Sequence, residues 1–202
     1  MKRQIRFIPL LVILALSLSG CGQMSEGVQV GTTKIAVSEI QKSIDQILQE
    51  RKGVDTSQMQ LLFGADLATS QAQLQVISLI TDQIAKDKNI QISKSDIEQR
   101  KTEIEQQLID QGGDLKSALV GAGIASSNLD KYLNITLVTQ KLSTNLKAAG
   151  VADELIDSEV SKIIGSTAKS LKVKINPRYG KWNYETVSIE PVDNTLGAVV
   201  NR

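Results

Sequence analysis

Leu171-Lys172-Val173-Lys174-Ile175-Asn176-Pro177 is where this chain changes its period. Before it, from Asp153 to Leu171, Leu155, Ile156, Val160, Ile163 and Ile164 recur at helical spacing. From Leu171 the apolar residues alternate with lysines, which is the period of a strand with one buried face. The run stops at Pro177, which has no N–H to give to a ladder. A strand this short needs a partner. Near the opposite end Val28, Val30, Ile35 and Val37 alternate on either side of Gly31-Thr32-Thr33, which reads as two short strands around a turn. The expectation is a mostly α fold in which strands from both ends, 28–37 and 172–176, form a small antiparallel sheet. About five or six helices lie between them. One helical domain then covers 28–189, and 190–202, which lacks periodicity, is expected to be a flexible tail.

The intervening helices are read from their punctuation. Ser38 and Gln41 have capping-box spacing ahead of a stripe of Ile40, Ile44, Ile47 and Leu48, which ends at Gly53. Met59, Leu61, Leu62 and Phe63 are nearly contiguous. Such a run fits a short buried helix or an exposed loop, and burial is the expectation because apolar runs are usually core. Leu74, Ile77, Ile80 and Ile84 mark a helix over 69–88. Ser93 is an N-cap, with Ile92 and Ile97 at the staple positions, for a charged helix over 94–111. Its narrow stripe of Ile97, Ile104 and Leu108 predicts an arm solvated on most of its surface. Asp114 caps a short helix that ends at Gly121-Ala122-Gly123, and a long one follows over 126–147.

The N-terminus reads as an address. Lys2, Arg3 and Arg6 precede an apolar run from Phe7 to Leu18 that is too short to span a bilayer, which is the layout of a signal peptide over 1–20. Leu18-Ser19-Gly20-Cys21 resembles the lipobox of bacterial lipoproteins. The resemblance implies a diacylglyceryl thioether on Cys21, cleavage between Gly20 and Cys21, and a short lipidated tether over 21–27. The product would be extracytoplasmic, held on the outer face of the bacterial cell membrane. Each buried CH₂ contributes about 0.8 kcal/mol, so two or three acyl chains hold firmly. The alternative is an ordinary signal peptide with a leftover or buried thiol, although a lone free thiol in an exported protein calls for explanation.

Composition narrows the chemistry. Taking Lys2, Arg3 and Arg6 from the 23 Lys and Arg leaves 20 against 22 Asp and Glu, a net charge of −2. That argues against a general nucleic-acid binder. The chain has no histidine, and with Cys21 lipidated it has no thiolate, so no metal and no cofactor are expected. Ser166-Thr167-Ala168-Lys169 matches S-x-x-K but lacks the companion K-T-G motif. Gly121-Ala122-Gly123 follows a helix rather than a strand and reads as a turn. Glu103, Glu105 and Asp110 lie on a solvated helix with no cleft to separate their pKa values. No catalytic residue is assigned, and an enzyme is not expected.

The order of elements resembles the N-terminal chaperone module of the SurA and PrsA family of bacterial extracytoplasmic foldases. Val30-Gly31 through Ile35 with Ser38-Glu39-Ile40, and Leu79 to Ile84 followed by Ile92 to Ile97, match its opening strand and its helix-to-helix step. Asp114 to Leu119 with Gly121 to Ile124 matches its central turn. Ile175-Asn176-Pro177-Arg178-Tyr179-Gly180-Lys181-Trp182 resembles its V-N-P-R-Y/F-G-x-W ending, the most specific of the matches. The resemblance implies a helical lobe closed by a returning C-terminal strand. It does not carry the family's prolyl-isomerase activity, because only Ala148 to Ala152 separate the two long helices where the isomerase domain would sit, and no histidine is present.

What the resemblance implies is a membrane-anchored, ATP-independent chaperone or holdase whose partners are unfolded or newly exported polypeptides. The other reading is a non-catalytic scaffold lipoprotein that docks one folded envelope partner. Phe63, Tyr179, Trp182 and Tyr184 are the candidate client or surface contacts. For the last three, pinning the C-terminal strand to the helices is the favoured role. Lys169, Lys172, Lys174, Arg178 and Lys181 fall in a stretch without acid, which suits anionic headgroups or acidic wall polymers, or simply a solvated edge strand guarded by lysine.

Overall fold

The computed structural model describes residues 25–191. Gly20, Cys21 and the rest of 1–24 lie outside the described residues, as do 192–202 of the expected tail. The chain opens with β1 (Glu26–Val30) and β2 (Thr33–Ala36), an antiparallel hairpin in which Val30 faces Thr33. Gly31 takes a φ of 60° at the first loop position, which tight two-residue hairpins of this hand require. Helices follow: α1 (Val37–Arg51), α2 (Gly64–Asp87), α3 (Lys94–Asp110), α4 (Leu115–Ala122), α5 (Leu129–Ala148) and α6 (Ile156–Ser170). Single 3₁₀ turns, Ser126–Asn128 and Asp153–Leu155, lead into α5 and α6. The chain then returns as β3 (Lys174–Ile175) and closes with β4 (Lys181–Asn183) and β5 (Ser188–Glu190).

The expected pairing of the two ends is present. β3 lies antiparallel to β1, with Val28 opposite Ile175 and Gln29 opposite Lys174, giving the sheet order β2-β1-β3. The Gly31 N–H donates to the Leu171 carbonyl at 2.7 Å and the Asn176 N–H to the Gly27 carbonyl at 2.8 Å, so the contact continues past both ends of β3. Val28, Val30 and Val173 turn inward onto α1, α2 and α6. The main core centres on α2, where Ala72, Val76 and Ile80 are fully buried. A smaller cluster of Leu119, Leu129 and Leu133 joins α4 to α5, with Ile97 and Ile104 of α3 packed against it.

Three expectations are corrected. Ser38 does not cap α1: the N-cap is Ala36, with no side-chain cap bond, and the Val37 N–H donates instead to the Ser25 carbonyl at 2.8 Å. Residues 54–63 form a loop rather than the expected short buried helix. Met59 and Leu61 are half-buried there, while Leu62 and Phe63 are 42% and 63% exposed, and α2 starts at Gly64 rather than near Thr69. Glu190 belongs to β5 and pairs with Lys181 instead of opening an unstructured tail.

The hairpin β4–β5 was absent from the sequence expectation. It stands on one close approach. Gly180 has a φ of 123°, and a Cβ there would lie 2.2 Å from the Glu190 carbonyl oxygen, so only glycine fits. No helix of the described residues is long and apolar enough to cross a membrane.

Candidate functional site

The polar residues of α2 explain how a groove comes to lie beside it. Thr69, Gln71 and Gln73 turn their side chains to neighbouring segments rather than to water. The Thr69 hydroxyl donates to the Tyr179 carbonyl at 2.7 Å, the Gln71 amide to the Gly123 carbonyl at 2.8 Å, and Gln73 Oε1 accepts from the Ile189 N–H at 3.2 Å. These bonds hold the C-terminal hairpin and the α4–α5 turn at fixed distances on either side of the helix. The space between is a groove of about 610 Å³, open to solvent, with Leu74 and Ile77 of α2 on its floor. Ile124, Tyr132 and Ile135 form one wall, Ile189 and Pro191 the other, and Leu62 closes one end. Gln71 is 1% exposed, and its Oε1 has no hydrogen-bond partner.

At the Leu62 end the buried Arg51 fixes the loop that leads into α2. Arg51 Nη2 donates to the Leu62 carbonyl at 2.9 Å, and the guanidinium lies 5.0 Å from the centroid of the Phe63 ring. Burial pushes the Arg51 pKa down from its ordinary value, but a guanidinium remains a cation at any physiological pH. It therefore holds Phe63 from one face by a cation–π contact while the rest of the ring stays in water. The exposed pair Leu62–Phe63 thus has a fixed position rather than a chance one.

The other candidate contacts are placed differently. Tyr179 and Trp182 are each 5% exposed, within the main core, where they pin the returning chain. The Trp182 indole N–H has no acceptor. Tyr184 is half-buried, with its hydroxyl donating to the Val173 carbonyl at 3.3 Å, and its backbone rests on Gly165 of α6, where a Cβ would lie 2.5 Å from the Tyr184 carbonyl oxygen. The structure therefore leaves Phe63 exposed, next in the chain to the groove-lining Leu62 but not itself in the lining, and keeps Tyr179, Trp182 and Tyr184 in the packing of the C-terminal segment. Leu74, Tyr132, Ile135 and Ile189, which complete the groove, were not singled out from sequence. Leu74 was read as part of a core stripe, and Tyr132 carries no local signal of its own.

The remaining motifs stay structural. Ser166 donates to the Ile163 carbonyl within α6, and Gly123, at a φ of 65°, ends α4 in the left-handed conformation. Glu103 and Asp110 accept from Gln99 and Gln106 one turn away. Among the described residues no group of three or more His, Cys, Asp or Glu is placed to hold a metal ion. Comparison with family models, with curated proteins and with solved structures finds no match to this chain.

Proposed function

We propose that the chain is a lipid-anchored, ATP-independent holdase for exported polypeptides, with the groove beside α2 as its client site. The observation that carries this reading is the open apolar groove lined in part by Leu62, with the exposed Phe63 next to Leu62 in the chain. A concave, mostly apolar cleft of a few hundred Å³ with a few polar groups on its rim has the form of a binding site. An unfolded segment gains by laying its apolar side chains against Leu74, Ile77 and Ile135. Binding of this kind lowers aggregation by occupying the unfolded chain, with no chemical step. The signal sequence and the lipobox-like Leu18 to Cys21 would place the groove on the outer face of the membrane, where newly exported chains emerge.

The test is light scattering from a chemically denatured model protein, without nucleotide, in the presence of the chain from Gly22 onward. Suppression near equal molar amounts is expected. Leu62→Gln with Phe63→Gln should abolish it, with circular dichroism and the thermal midpoint showing that the fold is kept, because both side chains are exposed. Scattering unchanged over a wide excess of the chain would remove the holdase reading and leave a scaffold for one native partner, to be sought by crosslinking on intact membranes.

A further inference from the structure

Residues 160–184 contain Lys162, Lys169, Lys172, Lys174, Arg178 and Lys181 and no acid, and all six cations are exposed. Two are locally balanced: Lys162 pairs with Glu159 at 2.6 Å, and Lys181 stands opposite Glu190 across β4–β5. Lys169, Lys172, Lys174 and Arg178 form no ion pair with any carboxylate among the described residues. The nearest acid along the sheet, Glu26, is occupied by Lys34 at 2.6 Å.

Lys172 and Lys174 alternate with Val173 on the outer side of the returning chain, Arg178 follows at the turn after Pro177, and Lys169 stands one helical turn before, lining a cleft that Glu185 also lines. Lys172 takes a φ of 51°, and its N–H and that of Val173 bond back to the carbonyls of Lys169 and Ala168, so the chain turns sharply out of α6. Val173 is buried between Lys172 and Lys174, both exposed, and β3 is one edge of its sheet. Lysine on an edge strand discourages stray pairing and lysine in a last helical turn suits the helix dipole, which accounts for Lys174 and Lys169. Neither explains Lys172 or Arg178.

The beginning of the described chain meets the same place. Asn176, between Lys174 and Arg178, donates from its side chain to the Glu26 carbonyl and from its backbone to the Gly27 carbonyl, both at 2.8 Å. Ser25 is four residues beyond Cys21, a span of at most about 14 Å when fully extended. A lipid on Cys21 therefore keeps this corner near the headgroups, within a small multiple of the roughly 8 Å over which salt screens a charge.

We propose that the edge formed by Lys169, Lys172, Lys174 and Arg178 is a docking surface for the anionic lipid headgroups of the membrane. The proposal rests on the lipid anchor of the preceding reading for its nearness to the bilayer, and not on the holdase activity. Docking there would add an electrostatic contact to the acyl anchor and fix which side of the domain faces the bilayer.

The test is vesicle binding by the chain from Gly22 onward, which contains every residue of the described fold and no acyl group. Phosphatidylcholine vesicles with and without phosphatidylglycerol are compared at low and physiological salt. Binding is expected only with phosphatidylglycerol, falling as salt rises. Lys172→Glu, Lys174→Glu and Arg178→Glu together should weaken it at least about tenfold, since each cation near an anionic surface contributes favourably. The same charge change at Lys88, Lys94 and Lys101 should leave it unchanged. Lys172→Gln with Lys174→Gln, a milder change, should give an intermediate loss at an unchanged thermal midpoint. Equal binding to neutral vesicles, or equal loss from both reversed sets, overturns the proposal. Tighter binding to a soluble glycerol-phosphate polymer than to vesicles of equal phosphate content reassigns the surface to acidic polymers and also overturns it. Suppression of aggregation in vesicle-free solution should be the same in the reversed variant, so failure here and failure of the holdase reading are separately visible.

Discussion

Helices α2 and α3 follow one another in the chain and both carry isoleucine and leucine at helical spacing, yet they occupy opposite environments. The first buries Leu67, Gln71, Ala72, Gln75, Val76, Ser78, Ile80, Thr81 and Ile84, and the second buries nothing. The difference lies in the width of the stripe and in what the polar residues do. On α2 most of the glutamines and threonines are used inside the fold: Gln71 holds Gly123, Gln75 accepts from Lys131, and Thr81 bonds back to its own helix at Ile77, while Gln83 near the end bonds along the surface to Asp87. On α3 the polar residues bond along the helix surface instead, as in Gln99 to Glu103 and Gln106 to Asp110, while Ile109 is 62% exposed. The comparison teaches that a helix can belong to the fold through a narrow contact. α3 touches the small Leu119–Leu133 cluster through Ile97 and Ile104, reaches Lys141 of α5 through Asp96, and is otherwise an arm.

The sharpest way to break that contrast is a matched pair of truncations. Ile80→Ala removes a fully buried side chain from the main core and should cost about 2–5 kcal/mol in urea unfolding. Ile104→Ala removes one that keeps part of its surface in water and packs only on the small cluster, and should cost less, about 1–2 kcal/mol. Equal losses at the two positions would mean that the arm is as integral to the cooperative unit as the centre. Amide exchange should divide the same way, with α2 amides exchanging only on global unfolding and α3 amides through a cheaper local opening.

Much of this division was legible in the sequence. The change to period two at Leu171 predicts the strand that meets β1, and Ser93 and Asp114 are read correctly as caps because a cap is a local device. The misreadings share a physical cause. Ser38 has capping-box spacing, but the Ser25 carbonyl satisfies the first amide of α1 from the tertiary structure, so no side-chain cap forms. The Met59–Phe63 run has no period, and whether such a run is covered depends on segments far along the chain. The hairpin β4–β5 has strands of only three residues, and the alternation of Val187, Ser188, Ile189 and Glu190 was its one available signal. The groove was invisible for a stronger reason: Leu62, Leu74, Tyr132 and Ile189 come from four separate segments, brought to one place by the packing of α5 on α2 together with the hydrogen bonds of Thr69, Gln71 and Gln73.

The smaller effects lie at the start of the arm. There Ser93 accepts from the Asp96 N–H at 3.1 Å while the Asp96 carboxylate accepts from the Ser93 N–H at 2.9 Å, a reciprocal cap. Ser93→Ala should cost about 1 kcal/mol, and its readout should be faster exchange in the first turn of α3 with α2 unchanged. The carboxylate adds a pH dependence. The Ser93 N–H, and then Lys141 at 3.3 Å, hold Asp96 below its ordinary pKa. A group whose pKa is lower in the fold stabilises it above the unfolded value and loses that contribution as pH falls through the folded one. Protection of the first turn of α3 should therefore be level from neutrality down to about pH 4, the unfolded carboxylate value, and decline in stronger acid. Asp96→Asn should show no such step. The start of α2 has no counterpart, since Phe63 at its N-cap offers no side-chain acceptor. If acid loosened the first turns of α2 and α3 together, the arm would not be a separate unit, and the contrast between the two helices would be one of exposure alone.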